Sequence, residues 1–245
     1  EIRFRSTPFD EASVDLLDEL DLPLFKVGSG ELTNLPFLEH IAAKGKPVIL
    51  STGMGTLAEV EDAVAVFRKQ PGADLTLLHC VTEYPAPPEE INLRAMATLR
   101  TAFGLPVGYS DHTTGVEIAT AAVALGARVI EKHFTIDRSL PGPDHSSSLE
   151  PDEFRRMVAA IRNVEAAMGS GRKGPAPCEL ANIPVARRSI VAVEAIRAGE
   201  AITTRNVAIM RPGSGIAPKY LSELLGMRIT RDISPDQPLS WQDLR

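Results

Sequence analysis

Two histidines close two successive apolar runs, in Gly108-Tyr109-Ser110-Asp111-His112-Thr113 and Ile130-Glu131-Lys132-His133-Phe134. Imidazole is a common ligand for divalent metals. Two imidazoles, each beside a carboxylate (Asp111, Glu131), suit a site that keeps positions open for water and substrate oxygen. Lys26 ends a third apolar run and leads into Val27-Gly28-Ser29-Gly30-Glu31. An amine next to apolar residues has two uses, as a Schiff-base nucleophile or as a charged phosphate ligand. Ser29 and the glycines, which let backbone N–H groups approach a ligand, favour the phosphate ligand. His112, His133, Lys26 and Glu131 are therefore the candidate catalytic groups. Further polar clusters end other apolar runs: Ser6-Thr7-Pro8, Ser51-Thr52-Gly53 and Thr82-Glu83-Tyr84-Pro85. Glu31 and Asp144 have the chemistry to bind sugar hydroxyls, and Tyr84 to stack on or hydrogen-bond a substrate. His79, inside an apolar run, reads as structural. His40, on a helix, reads as solvated, and His145, in a loop, is left open.

The elements that must carry these residues alternate. Strands are expected at Arg3–Ser6, Leu24–Val27, Val48–Leu50, Leu75–His79, Val107–Tyr109 and Val129–Ile130. Between them lie helical stretches with start and stop signals. Thr56 and Glu59 have capping-box spacing ahead of Val60 to Lys69, and Thr114 and Glu117 repeat it ahead of an Ala-rich helix stopped by Gly126. Pro151-Asp152-Glu153 opens another helix, which Gly169 ends. Alternating strands and helices imply a parallel sheet with helical crossovers, whose carboxyl ends carry the chemistry. A (β/α)8 TIM barrel needs about 250 residues, so residues 1–169, with six such units, fall short of it by roughly two.

Residues 170–184 are dense in Gly and Pro without periodicity and read as a linker. Residues 185–245 hold short β-like runs, Ser189–Val193, Ala208–Met210 and Met227–Thr230. They also hold an echo: Ile196, Gly199, Ile202 and Val207 recur in spacing as Ile233, Asp236, Leu239 and Leu244. This points to a small β module built from two similar corners. The composition is that of an ordinary globular protein: 245 residues, 44% hydrophobic and 24% charged. The net charge of −6 argues against a general nucleic-acid binder. No apolar run nears the ~20 residues that span a bilayer, and no signal-peptide pattern opens the chain. Cys80 and Cys178 have no metal or redox spacing and are expected to be free thiols in a reducing cytoplasm. The chain opens at Glu1 rather than Met, directly in a strand-like segment, and is expected to be a fragment.

Six segments in order carry a resemblance: Phe25-Lys26-Val27-Gly28-Ser29-Gly30-Glu31, Leu50-Ser51-Thr52-Gly53-Met54, Leu77-Leu78-His79-Cys80-Val81-Thr82-Glu83-Tyr84-Pro85, Gly108 to Thr113, Glu131-Lys132-His133-Phe134-Thr135, and Pro141-Gly142-Pro143-Asp144-His145. Together they resemble the sialic acid synthase family, which includes N-acetylneuraminate, legionaminate and pseudaminate synthases. Met210-Arg211-Pro212-Gly213 resembles that family's C-terminal antifreeze-like (SAF) domain. The resemblance implies a TIM barrel followed by a β-clip SAF module, in a homodimer whose SAF domain is swapped onto the partner's barrel. It implies condensation of phosphoenolpyruvate with N-acetylmannosamine or a related N-acetylated aldose. By the same resemblance His112 and His133 would hold Mn²⁺, with Mg²⁺ or Co²⁺ as alternatives. Thr7, Lys26, Ser29, Ser51 and Ser110 would bind phosphoenolpyruvate, joined by Thr52 and Gly53 of the same cluster. Glu31, Tyr84 and Asp144 would contact the sugar, and Arg211 would bind its N-acyl group. Thr82 stands where some members carry Asn as a phosphoenolpyruvate ligand. The family's first two β/α units, with a catalytic glutamate and a second lysine, are missing here, so this chain alone is expected to be inactive. Two other readings stay open: a Schiff-base aldolase acting through Lys26, and a non-catalytic sugar-binding module.

Overall fold

The computed structural model describes residue 2 and residues 4–245, which divide into two compact units, Glu1–Gly171 and Arg172–Arg245. The first opens with α1 (Glu11–Glu19), begun where Asp10 accepts a hydrogen bond from the Ser13 amide at 2.7 Å. Then β1 (Phe25–Val27), β2 (Val48–Ser51), β3 (Leu75–Cys80), β4 (Val107–Asp111) and β5 (Ile130–Lys132) alternate with α2 (Leu35–Ala42), α3 (Leu57–Arg68), α4 (Ala95–Phe103) and α5 (Glu117–Ala124); α6 (Pro151–Met168) follows. The five strands form one parallel sheet in the order of the chain. Each neighbouring pair thus needs a crossover, which the intervening helix supplies. The expected strand at Arg3–Ser6 is not found: Arg3 lies outside the described residues, and Phe4 to Ser6 are in no strand. A tetrapeptide becomes a strand only where a sheet edge offers it a ladder, and the pairing recorded for β1 is with β2.

Register sorts the side chains. Lys26 is level with Ile49, Ser51 with Leu78, Cys80 with Ser110, and Ser110 with Glu131. These share one face of the pleat. Phe25, Val27, Val48, Leu50, Leu75, Leu77, Val107 and Tyr109 take the other, where they join one buried core with Leu38 and Ile41 of α2 and Val60, Val64 and Phe67 of α3. Each such side chain contributes roughly 1.5–3 kcal/mol on leaving water. The helix face of the sheet is thereby fixed, and the opposite face is free to be polar toward the strand ends. At Gly108 an added Cβ would collide with the Val129 carbonyl and lie 2.7 Å from Leu78 Cδ2, so β4 and β5 approach through a position that admits no side chain.

Helix starts follow local chemistry. The box ahead of α3 forms: the Glu59 amide donates to Thr56 Oγ1 at 3.3 Å, and the Thr56 amide to Glu59 Oε2 at 2.7 Å. The box expected at Thr114 and Glu117 does not. Gly115, at φ +77°, turns the chain so that Thr114 lies outside the helix. Glu117 instead accepts the Val116 amide at 2.9 Å. The second unit holds α7 (Ile183–Ala186), the antiparallel pair β6 (Ser189–Ala192) and β7 (Val207–Met210), and α8 (Leu221–Leu224). The strand expected at Met227–Thr230 is replaced by single bridges, Ala201 with Arg228 and Ile229 with Leu244. The echoed corners meet each other: the Ile196 and Ile233 amides donate to each other's carbonyls at 3.0 and 2.8 Å. Gly199 and Asp236, the equivalent turn positions, are both left-handed, at φ +89° and +63°. Among the described residues no helix is long and apolar enough to cross a membrane.

Candidate active site

A cavity of about 450 Å³ opens at the carboxyl ends of β1 to β5. Its lining includes Thr7, Lys26, Ser29, Ser51, Thr82, Tyr84, Ser110, His112, Glu131 and His133, so ten of the expected site residues converge from six separate segments. Such convergence at the strand ends is where parallel α/β folds place their chemistry.

One half is built for an anion. Lys26 Nζ donates to Ser51 Oγ at 2.9 Å and to the Val27 carbonyl at 3.0 Å, and lies 3.4 Å from Glu131 Oε2. The Glu131 carboxylate also accepts from Ser110 Oγ at 2.7 Å. Ser29 Oγ accepts from the Gly53 amide at 3.0 Å. At Gly53 an added Cβ would collide with Thr82 Oγ1 and sit 2.8 Å from Ser29 Oγ and 3.2 Å from Cys80 Sγ, so this backbone is packed edge-on against the hydroxyls. One ammonium with several hydroxyls around it has the chemistry to hold a phosphate within a chain of net negative charge.

The other half carries the imidazoles, 5.3 Å apart between ring centres. His112 Nδ1 donates to the Val81 carbonyl at 2.7 Å, which leaves Nε2 with its lone pair. Burial lowers the pKa of His133, Asp144 opposes that, and His112 pushes it down further. His133 is thus held neutral, with a lone pair to donate. Asp144 Oδ2 lies 3.8 Å from His133 Nδ1. Tyr84 stacks at a tilt on His112, 4.2 Å between ring centres, and meets His133 edge-on at 5.4 Å. Burial, then the neighbouring Cys80, Asp144 and Glu131 side chains, raise the Tyr84 pKa, so its phenol stays a hydrogen-bond donor. Among the described residues no group of three or more His, Cys, Asp and Glu side chains is arranged around one metal position. A cation here would take two protein ligands, the rest being water or substrate oxygen.

Two expected residues of the first unit turn away from the cavity. Thr52 is buried with its hydroxyl donating to the Leu78 carbonyl at 2.9 Å, and it faces a separate cavity with Met54, His79 and Asn92. It alternates with Ser51 and Gly53 and so points away from them. Glu31 is carried past the cavity by the turn Ser29–Glu31, and its carboxylate accepts from Asn34 Nδ2 at 2.8 Å. Arg211 belongs to the second unit, where its Nε donates to the Ala186 carbonyl at 3.1 Å. His79 is structural, its Nε2 donating to the Ile91 carbonyl at 2.7 Å. His40 is half-buried rather than freely solvated, its Nε2 lying 2.8 Å from Asp15 Oδ1. His145 Nδ1 lies 2.7 Å from Thr135 Oγ1. Sequence reasoning missed Cys80, Phe9 and Lys132, all of which line the cavity. Cys80 is a free thiol, 3.6 Å from Ser29 Oγ and 3.8 Å from His112 Nδ1. Its place two residues before Thr82, at the end of a strand, was the available signal.

Residues 1–173 match the NeuB family and residues 187–245 the SAF domain. The chain is 51% identical over 239 residues to N,N'-diacetyllegionaminic acid synthase of Campylobacter jejuni, covering 96% of this chain and 71% of that protein. It is 38% identical over 241 residues to human N-acetylneuraminate-9-phosphate synthase, covering 97% and 67%. Among solved structures it resembles spore coat polysaccharide biosynthesis protein spsE of Bacillus subtilis. That match has 38% identity and a TM-score of 0.65, over 99% of this chain and 73% of that one.

Proposed function

From the premise that this chain belongs to the NeuB family and carries an SAF domain, we propose that it is a nonulosonic acid synthase. It joins phosphoenolpyruvate and water to an N-acylated aldose, giving a nine-carbon 2-keto acid and phosphate. The observation that carries this reading is the cavity's division into an anion half around Lys26 and an imidazole half around His112 and His133. The five sequential parallel strands are read as consecutive staves of a (β/α)8 barrel. Their order has no reversal, unlike a doubly wound sheet.

Lys26, Ser29, Ser51 and the Gly53 amide grip the phosphate, fix the enol carboxylate's orientation and offset its charge. Glu131 keeps Lys26 and Ser110 aimed at that position before substrate arrives. The methylene carbon of phosphoenolpyruvate forms a bond to the aldehyde carbon, water adds to its second carbon, and phosphate leaves with cleavage of its C–O bond. Tyr84 and Asp144, beside the imidazoles, are placed to hold sugar hydroxyls. A divalent cation on His112 and His133, Mn²⁺ first among candidates, would polarise the aldehyde oxygen as a Lewis acid. The base for the water, the homodimer and the contact of Arg211 with the N-acyl group remain part of the proposal. The acceptor is N-acetylmannosamine, its 6-phosphate, or the 2,4-diacetamido-6-deoxy sugar of the legionaminate and pseudaminate branches.

Phosphate release from phosphoenolpyruvate by the full-length protein tests this, with each of the three sugars, in Mn²⁺ or in EDTA. Release with one sugar, abolished by EDTA, is expected. No release with any sugar from folded protein would sink the reading.

A further inference from the structure

The buried ion pair behind the two histidines is not used by the reaction above. Lys132 Nζ lies 2.7 Å from Asp111 Oδ2, with side chains 1% and 0% exposed. Asp111 Oδ1 accepts from the Thr113 amide at 3.0 Å and from Thr113 Oγ1 at 2.8 Å. Lys132 also donates to the Thr113 carbonyl. Asp111 and Lys132 are direct cross-strand partners in β4 and β5. They precede His112 and His133 by one residue each, at the last positions of their strands, and Lys132 lines the cavity beside both imidazoles.

Three further bonds fix the same two segments. His112 is tied to Val81 through its ring, and its carbonyl accepts from the Ala86 amide at 3.0 Å. The His133 carbonyl accepts from the Leu149 amide at 2.9 Å. The Lys132 bonds to Asp111 and Thr113 run directly between the segment of His112 and that of His133, one residue nearer the imidazoles than the bond from Ser110 to Glu131. An ion pair in a dry interior adds little net stability over an apolar pair of the same shape. What it adds is direction, because both charges must stay where their partners are.

We propose that Asp111 and Lys132 are positioning residues that set the separation of His112 and His133 for a divalent cation; this rests on the metal reading above. A site with two protein ligands depends strongly on such support, since no third ligand corrects an error in their spacing.

The test is Mn²⁺ affinity of the full-length protein, read from the electron paramagnetic resonance of free Mn²⁺, for wild type, Asp111→Asn, Lys132→Met, Lys132→Arg and the apolar pair Asp111→Leu/Lys132→Met. Metal-free phosphoenolpyruvate affinity and thermal unfolding are measured alongside. Asp111→Asn, Lys132→Met and the apolar pair should each weaken Mn²⁺ by about 10- to 100-fold, with phosphoenolpyruvate affinity within about twofold of wild type. Lys132→Arg should restore most of the Mn²⁺ affinity. Where a single variant fails to fold, the apolar pair decides. A folded apolar pair with wild-type Mn²⁺ affinity would show a merely structural role and overturn the proposal. Equal losses of Mn²⁺ and phosphoenolpyruvate would overturn it too, as general collapse of the site. A wild-type protein that takes up no Mn²⁺ would instead remove the metal reading itself, before any variant is compared.

Discussion

Gly53→Ala should damage phosphoenolpyruvate binding while leaving the fold intact. The new methyl would overlap Thr82 Oγ1 and stand 2.8 Å from Ser29 Oγ and 3.2 Å from Cys80 Sγ. None of these is main chain, so relief comes from rotating the side chains that line the cavity. Overpacking of this kind costs about 1–3 kcal/mol. Gly53 is not in the left-handed region, so alanine fits its backbone, and the stiffer unfolded chain returns about 0.4–1 kcal/mol. Stability should therefore fall by roughly 0–2.5 kcal/mol. Binding has no such offset where Ser29 Oγ, one of the displaced atoms, is a partner of the phosphate as proposed. At 1.4 kcal/mol per tenfold, the dissociation constant for phosphoenolpyruvate should rise about 5- to 150-fold. Calorimetric titration gives the binding term and urea unfolding the stability term. Wild-type affinity in a folded Gly53→Ala protein would refute both the placement of the phosphate and the reasoning from contact distances.

Lys26→Met should raise the phosphoenolpyruvate dissociation constant by about 100-fold, since a charge-assisted contact with an anion is worth about 1.5–3 kcal/mol and Glu131 loses its cation; borohydride with a keto acid should trap no adduct on the wild type. Burial lowers the His79 pKa, opposed by its bond to Ile91. Below pH 6.5 the unfolded chain therefore binds a proton that the folded chain refuses, so stability falls with acid from 6.5 down to the lower folded value, and His79→Gln should flatten that slope in urea titrations across pH. Burial of Asp243 opposes its charge, but bonds from the Ser240 amide and hydroxyl and from Arg231 outweigh it and leave its pKa lowered. Its contribution is present above the ordinary carboxylate value and lost as pH falls through the lowered one. Asp243→Asn should destabilise the second unit by about 1.5–3 kcal/mol near neutral pH, measured by the unfolding of Trp241 fluorescence.

Much of the first unit was legible because apolar runs and polar ends occur on separate residues. Five of the expected strands are present within one or two residues of their forecast ends, and the clusters that end them converge. The misses have local causes. Thr114 and Glu117 have the spacing of a capping box, but the left-handed Gly115 between them removes Thr114 from the helix. Thr52 has the right chemistry and the wrong parity. Glu31 has the right neighbours, but a tight turn carries it past them. Spacing along a chain does not reveal the direction a side chain takes after a strand ends, and both of these residues lie beyond that point. In the second unit the echoed apolar positions were legible, but their antiparallel meeting at Ile196 and Ile233 was not, since like spacing does not specify which copies pair.

The alternation that hid Thr52 also explains how the site is held. In β4 and β5 one residue step separates two cross-strand pairs: Ser110 is level with Glu131, and Asp111 with Lys132, the latter pair buried. Each pair closes its own bond between the strands, so neither strand can slide without breaking both. A slip by one residue would exchange the faces, turning Glu131 toward the apolar helices and parting Lys132 from Asp111. The charged residues therefore specify register as well as reactivity. The apolar runs cannot do so at this end, because β5 contributes only Ile130 as an apolar residue within its strand. Register in the last two strands rests on polar pairs, and the residues that depend most on it are the two histidines placed just beyond.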